Sequence, residues 1–94
     1  MAELRFAWDV RKDRANQREH GVSFDEARSV FWDENAKLYS DPDHSRDEDR
    51  FILLGTSALL RVLVVCHCSR EGGDVIRIIS ARRATARERR SYGS

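Results

Sequence analysis

Two arginines, Arg77 and Arg82, lie within and at the end of a strand-like run rich in isoleucine. A guanidinium on a core strand is costly unless an anion or a carboxylate meets it. Its planar fork can bind phosphate through two hydrogen bonds, which predicts that both arginines hold phosphate or stabilise a phosphate-like transition state. For Arg77 taken alone, a salt bridge to one of the chain's own acids explains the residue equally well.

Four further arginines are candidates for the same groove or the basic surface around it: Arg50, Arg61, Arg83 and Arg87. The two strand arginines raise a geometric conflict. Because Arg77 and Arg82 are an odd number of residues apart, a continuous strand would point them to opposite faces of the sheet. They can share a site only if the strand ends near Ser80 or bulges there.

Histidine supplies the candidate groups for proton transfer. His20 precedes a predicted helix-ending Gly21, where a cation is favourable, and is interpreted as structural; His44 is interpreted as ordering a loop. His67 lies directly opposite Arg77 if the hairpin loop is the three residues Glu71–Gly73, whereas a four-residue loop pairs Cys66 with Arg77 and turns His67 away. Both registers remain open at this stage.

Charge is divided along the chain, although the net charge is only +1. Residues 41–49 carry five acidic side chains, whereas residues 77–90 carry six arginines and one glutamate. An acidic side and a basic side are therefore expected, and the basic side suits a nucleic acid or an acidic protein. The 94 residues are predicted to form one domain, 1–94.

Apolar runs in this chain are too short for a signal peptide or a membrane span, so a soluble cytoplasmic protein is expected. Cys66 and Cys68 are two residues apart, at the edge of disulfide reach, and their spacing does not match common zinc pairs. They are interpreted as free core cysteines, and neither a cofactor nor a metal is expected.

Apolar periodicity and capping signals predict an α+β fold with one curved antiparallel sheet and flanking helices. Capping boxes are predicted at Ser23–Glu26 and Thr85–Glu88. The predicted order is β-α-α-β-β-β-β-α, with strands near 4–8, 36–40, 51–55, 61–68 and 75–80 and helices near 9–20, 24–32 and 84–92.

Four ordered motifs, which extend over nearly the whole chain, resemble the BrnT ribonuclease toxins. They are Phe6-x-Trp8-Asp9-x-x-Lys12; Asn16-x-x-x-His20-Gly21-Val22-Ser23-Phe24-x-Glu26-Ala27; Asp41-Pro42-Asp43-His44-Ser45 with Glu48-x-Arg50-Phe51 and Gly55-x-Ser57; and Arg77-Ile78-Ile79-Ser80-Ala81-Arg82-x-Ala84-Thr85-x-x-Glu88-Arg89-x-x-Tyr92.

This resemblance implies a RelE-like fold and a toxin of a type II toxin–antitoxin module that cleaves RNA and so blocks translation. It also implies a BrnA-type antitoxin as partner, a complex of two toxins with two antitoxins, and contact with operator DNA only through the antitoxin. Two features depart from the family pattern: Glu19 replaces a common basic residue, and the turn at 58–60 is apolar. That turn either contacts the antitoxin or packs under a neighbouring loop.

Cleavage of RNA without a metal needs a base for the 2′-hydroxyl, an acid for the leaving 5′-oxygen and a cation for the phosphorane. Arg77 and Arg82 are the candidates for the cation. Glu48 is either the base or a partner that orients an arginine. Tyr92 and Trp8 either stack on a base of the RNA or pack the chain ends together.

Two other functions compete with the ribonuclease. A non-catalytic adaptor would present its arginines on a flat or convex face to an acidic protein or a nucleic acid. A metal-dependent nuclease would need converging carboxylates, of which the sequence gives no sign.

Overall fold

The fold is that of a computed structural model, which describes residues 4–41 and 50–93. The order of elements predicted from the sequence is confirmed, and each boundary lies within two or three residues of its predicted position. The elements are β1 (Arg5–Ala7), α1 (Val10–His20), α2 (Phe24–Ser29) with a 3₁₀ turn (Val30–Trp32), β2 (Lys37–Ser40), β3 (Arg50–Thr56), β4 (Val62–Arg70), a 3₁₀ turn (Glu71–Gly73), β5 (Val75–Arg83) and α3 (Ala86–Tyr92).

The five strands form one sheet in the order β1-β5-β4-β3-β2. Strands β3, β4 and β5 are antiparallel neighbours, as their short connections predict. Strand β2 also pairs antiparallel with β3, but β1 pairs parallel with β5. The α+β class is confirmed, while the sheet is mixed rather than wholly antiparallel. Nearly the whole chain separates β1 from β5, so no short connection fixes their relative direction.

Local sequence signals define the helix ends. Oδ1 of Asp9 accepts hydrogen bonds from the backbone N–H groups of Arg11 (2.7 Å) and Lys12 (3.3 Å), which begins α1. Gly21 ends this helix with φ of 67°, a left-handed conformation that glycine adopts without steric cost. No helix in the described part of the chain is long and apolar enough to span a membrane.

The main core lies between the helical segment of α2 and one face of the sheet. Its largest fully buried side chains include Phe24 and Val30 from the helical segment and Leu63, Val65 and Ile78 from the strands. Full burial of each such side chain contributes about 1.5–3 kcal/mol. A smaller cluster on the opposite face joins α3 to the sheet. We call this opposite side the α3 face.

The β4–β5 hairpin places His67 in the core. Cys68 pairs with Arg77, and His67 pairs with Ile78, because residues 71–74 form the connection between Arg70 and Val75. The connection has four residues and turns His67 away from Arg77, as one of the two alternatives required. Arg77 nevertheless pairs with Cys68, and neither the predicted pairing with His67 nor that with Cys66 is observed. The buried His67 ring contacts Phe31 at 4.8 Å and Phe51 at 5.9 Å between ring centroids.

The apolar turn between β3 and β4 is open to solvent. Leu60 is 85% exposed and has φ of 63°, a left-handed conformation that costs a non-glycine residue about 1–2 kcal/mol. Leu59 is exposed beside it. The alternative that this turn packs under a neighbouring loop is therefore wrong for the residues that the structure describes.

Gly55 provides a test of packing between β3 and the end of α2. A Cβ atom at this position would lie 2.9 Å from Ala36 Cβ, Asp33 Oδ2 and Val30 Cγ1. We expect Gly55→Ala to lower the free energy of unfolding by about 1–3 kcal/mol, because the neighbours must shift. Urea unfolding measures the change. Gly93→Ala is the matched control, since its Cβ would meet nothing nearer than 3.6 Å; equal effects of the two substitutions would contradict this packing.

The buried imidazole of His67 predicts a pH dependence of stability. Burial lowers the pKa of His67 below its usual value of 6.5. The unfolded chain therefore takes up this proton first as the pH falls, and the free energy of unfolding should decrease on going from about pH 7.5 to about pH 5. His67→Phe should remove this part of the slope in urea titrations. An unchanged slope, with a folded His67→Phe chain, would mean that His67 titrates as an exposed residue.

Candidate active site

A cleft of about 310 Å³ opens on the α3 face of the sheet. Its charged and polar side chains come from α1, β3, β5 and the residue that follows β2, and Ile52 and Val64 form part of its floor. We call it the basic cleft, because it gathers two guanidinium groups and an imidazole. Its charged and polar lining residues are His20, Asp41, Arg50, Ser80 and Arg82.

A β-bulge in β5 decides which arginines share the α3 face. Cys66 pairs with Ser80 and His67 pairs with Ile78, so Ile79 is an extra residue between them. The extra residue reverses the alternation of faces along β5. Arg77 and Arg82 consequently lie on the same face despite their odd separation, which satisfies the condition derived from the sequence.

Arg77 nevertheless lies away from the cleft on that face. It lines a separate depression with Trp8, Asp9 and Arg70 near the β1 end of the sheet. Arg50 and Arg77 both pair with Cys68, one on each side of β4. Two strand spacings separate their Cα atoms by about 9–10 Å. Because Arg50 and Arg82 line the basic cleft and Arg77 lines the other depression, the structure groups Arg82 with Arg50 and sets Arg77 apart.

Asn16 brings the end of α1 to the cleft. Its Nδ2 donates to the backbone carbonyls of Ala81 (2.7 Å) and Val22 (2.8 Å), and its Oδ1 accepts from the N–H of Ala81 (3.1 Å). The amide therefore pairs with the edge of β5 beyond the point where β1 ends. His20 lies four residues after Asn16, on the same face of α1. This spacing delivers its imidazole to the wall of the basic cleft.

Glu88 holds Arg82 in one orientation. Oε1 and Oε2 of Glu88 accept from Nη1 (2.7 Å) and Nη2 (2.9 Å) of Arg82, a two-point contact between planar groups. Glu88 also accepts from the N–H of Thr85 at 2.8 Å, which completes the predicted capping box of α3. The hydrogen bonds from Arg82 lower the pKa of Glu88 to about 2, so the carboxylate is ionised at neutral pH.

Arg82 remains accessible while it is held. Its side chain is 42% exposed, and the edge of the guanidinium that carries Nε is turned away from Glu88. The hydrogen bonds with Glu88 raise the pKa of Arg82, which keeps its positive charge. The guanidinium can therefore bind a phosphate on one edge while a carboxylate fixes the other.

Cys66 lies on the floor of the cleft between the charged groups. Burial raises the pKa of its thiol, and the negative charge of Asp41 acts in the same direction, while Arg50 opposes both. The thiol therefore stays protonated at neutral pH. Cys66 and Cys68 are free, as predicted. Among the described residues, no group of three or more His, Cys, Asp or Glu side chains is arranged to hold a metal ion.

Arg61 lies outside the cleft, in a structural ion pair. Its Nε donates to Glu26 Oε2 at 2.9 Å, its Nη2 contacts Glu26 Oε1, and Nη2 also donates to Gly21 O at 3.0 Å. These bonds lower the pKa of Glu26. Ser23 caps α2 as predicted, but Glu26 turns to Arg61 and Ser57 instead of closing the predicted capping box.

The remaining predicted site residues also lie apart from the cleft. Tyr92 donates to Asp33 Oδ2 at 2.5 Å and accepts from Thr56 Oγ1 at 3.0 Å, so it fastens α3 to β3. Arg83 and Arg87 are exposed, outside the lining of the cleft. His67 faces the core on the other side of the sheet. Glu48 and His44 lie outside the described residues.

Trp8 packs against the core rather than standing free. Its ring meets Phe24 edge-on at 6.2 Å between centroids. Of the two roles considered for Trp8 from the sequence, packing is therefore the one that the structure supports.

Two residues of the site, His20 and Asn16, were not assigned to it from the sequence. The available signal was their spacing of four residues, which places an amide and an imidazole on one helix face. That spacing alone did not indicate the site, because it does not reveal that α1 lies against a free strand edge rather than over the middle of the sheet.

The comparisons with known proteins agree with this fold and with the sequence resemblance. A family model described as "Ribonuclease toxin, BrnT, of type II toxin-antitoxin system" matches residues 8–88. The fold is similar to the 1.1 Å crystal structure of the Brucella abortus ribonuclease toxin BrnT, with 21% identity, a TM-score of 0.65, and coverage of 87% of this chain and 97% of that one. No curated protein matches the chain. The family match extends over most of the sequence, and the chain belongs to the BrnT family of ribonuclease toxins of type II toxin–antitoxin systems.

Proposed function

We propose that the chain is a single toxin domain that cleaves RNA internally without a metal ion, and that the basic cleft is its active site. The observation that carries this proposal is the gathering of the His20 imidazole with the guanidinium groups of Arg50 and Arg82 in one concave site. Membership of the family implies an RNA substrate and an antitoxin partner. The cleft supplies charge and proton-transfer groups that such a substrate needs.

Arg82 and Arg50 bind the scissile phosphate in the proposed reaction. The 2′-oxygen attacks phosphorus, the bond from phosphorus to the 5′-oxygen breaks, and a 2′,3′-cyclic phosphate and a 5′-hydroxyl form. Negative charge grows on the equatorial oxygens during this step, and fixed guanidinium groups stabilise it. Arg82 suits the task because Glu88 fixes its orientation before the substrate arrives.

His20 transfers a proton in the proposed reaction. Either the 2′-hydroxyl gives its proton to the neutral imidazole, or the imidazolium gives a proton to the leaving 5′-oxygen. The second proton needs another group. Glu48 remains the candidate predicted from the sequence, and it lies two residues before Arg50, which lines the cleft.

The arrangement of the arginines favours an enzyme over a non-catalytic adaptor. An adaptor would present its arginines on a flat or convex face with no proton-transfer group beside them. Here Arg50 and Arg82 line one concavity together with His20, whereas Arg83 and Arg87 lie outside it. The adaptor remains the second candidate, supported by these two exposed arginines.

The cellular role in this proposal follows the family. RNA cleavage in the cytoplasm blocks translation, and a BrnA-type antitoxin neutralises the toxin in a complex of two copies of each protein. The antitoxin alone contacts operator DNA. The exposed Leu59 and Leu60 of the apolar turn are of the kind that a protein partner covers.

Substitution of Arg82 tests the catalytic proposal. We expect Arg82→Ala to reduce cleavage of a labelled single-stranded RNA by about 10²–10³-fold, because a donor to the transition state is lost. Arg82→Lys should cleave RNA only slightly better than Arg82→Ala, since an ammonium group lacks the planar geometry of the guanidinium. Arg28→Ala is the matched control, because Arg28 pairs with Asp25 on the opposite side of the molecule.

The same assay separates the competing functions. Cleavage should persist in EDTA and should stop when the nucleotide before the scissile bond lacks its 2′-hydroxyl. Loss of activity in EDTA would contradict metal independence. Equal cleavage by Arg82→Ala and the wild type would contradict the basic cleft as the active site. No cleavage by a folded wild-type chain that binds RNA would favour the adaptor. Circular dichroism confirms that each variant is folded.

Substitution of His20 tests proton transfer. We expect His20→Gln to lower kcat by about 10²–10⁴-fold, the usual contribution of a positioned acid or base, with little change in KM. Glu34→Gln, at an exposed residue that does not line the cleft, should leave kcat within about twofold and is the control. An effect of His20→Gln on KM alone would assign His20 to substrate binding and contradict a catalytic role.

A further inference from the structure

A second depression lies on the α3 face next to the basic cleft. It has a volume of about 320 Å³ and is lined by Tyr39, Ile52, Leu54, Val64, Glu88 and Ser91. The two cavities share Ile52 and Val64 as floor residues. Glu88 lines this depression and holds Arg82, which lines the cleft. The two cavities therefore form one continuous surface, which is cationic at one end and apolar at the other.

Tyr39 gives the depression an exposed aromatic wall. It lies on the edge strand β2, its ring is not part of either core cluster, and it is 44% exposed. Its partner in the register is Ile52, which places Tyr39 on the α3 face with the aliphatic floor. A flat ring beside aliphatic side chains, with a carboxylate at the rim, matches a ligand that has apolar faces and polar edges.

The distance from Tyr39 to the cationic end fits one nucleotide. Tyr39 pairs with Ile52, and Arg50 lies two residues away on the same strand β3. One strand spacing and two residues along a strand separate the Cα atoms of Tyr39 and Arg50 by roughly 8 Å. A phosphate at Arg50 and a base at Tyr39 can therefore belong to the same or to adjacent nucleotides.

We propose that this depression is a nucleobase subsite, in which the Tyr39 ring stacks on an unpaired base next to the phosphate bound in the basic cleft. The inference rests on the proposed ribonuclease function and specifies its substrate as single-stranded RNA, because a paired base cannot enter. Stacking on an aromatic ring accepts any base, so the subsite contributes affinity with only modest sequence preference.

Binding of a non-cleavable RNA tests the subsite separately from catalysis. The probe is a short fluorescent single-stranded RNA whose 2′-hydroxyl groups are replaced by 2′-methoxy groups, and anisotropy measures its Kd. We expect Tyr39→Ala to weaken binding about tenfold, within the range that loss of base stacking produces. Tyr39→Phe should bind within about twofold of the wild type, because it keeps the ring.

Leu38→Ala is the matched control on the same strand. Leu38 is 60% exposed and precedes Tyr39, so its side chain points to the opposite face of β2. We expect this variant to bind the probe within about twofold of the wild type. An equal loss for Leu38→Ala and Tyr39→Ala would show a general effect on β2 and overturn the subsite.

Abasic probes locate the stacked base. Replacing one base of the RNA by an abasic site should weaken binding to the wild type about tenfold at one position, and Tyr39→Ala should cause no further loss with that probe. If Tyr39→Ala binds every probe as the wild type does while Arg82→Ala abolishes binding, the subsite is wrong and the phosphate site stands. If the wild type neither binds nor cleaves RNA, the proposed function fails and the subsite fails with it.

Discussion

The side-chain amide of Asn16 completes the hydrogen bonding of β5 where the neighbouring strand has ended. Strand β1 pairs with β5 only through residues 75–77, so the backbone of Ala81 would otherwise meet no strand on that side. Asn16 supplies both a donor and an acceptor to Ala81, at 2.7 and 3.1 Å. Because an unpaired buried backbone group costs about 1–3 kcal/mol, this contact fixes α1 at the sheet edge. The position of the helix then determines where His20 can reach.

The bulge at Ile79 and the amide of Asn16 act on neighbouring residues of the same strand. The bulge turns Ser80 and Arg82 toward the α3 face, and the amide holds Ala81 between them. The backbone edge of β5 thereby contacts α1. The side chain of Ala81 packs in the core, and the side chain of Arg82 lines the cleft. The concave site therefore depends on the early end of the β1–β5 pairing. A regular β5 paired along its whole length with a longer β1 would leave no strand edge for α1 to contact.

The sequence predicted the elements and their order because capping and periodicity are local. Asp9, Gly21 and Thr85 each act within four residues, and the structure has them as predicted. It did not predict the hairpin register, since Glu71–Gly73 form a 3₁₀ turn with left-handed glycines and the loop extends to Asp74. The sequence therefore left open which face of the sheet His67 occupies, because a shift of one residue in the register moves a side chain to the other face. The parallel pairing of β1 and the partners of Arg61 depend on contacts distant in sequence.

Two arginine–glutamate pairs of the same chemistry differ in how deeply their glutamates are buried. The Glu26 side chain, paired with Arg61, is 5% exposed and also accepts from Ser57 Oγ at 2.7 Å, whereas the Glu88 side chain, paired with Arg82, is 32% exposed. Loss of a partner from the first pair would leave an uncompensated charge in the interior, so that pair belongs to the fold. The second pair is screened by solvent and adds little stability. This second pair instead fixes the orientation of Arg82. One edge of the Arg82 guanidinium is thereby presented to a cleft that His20 also lines.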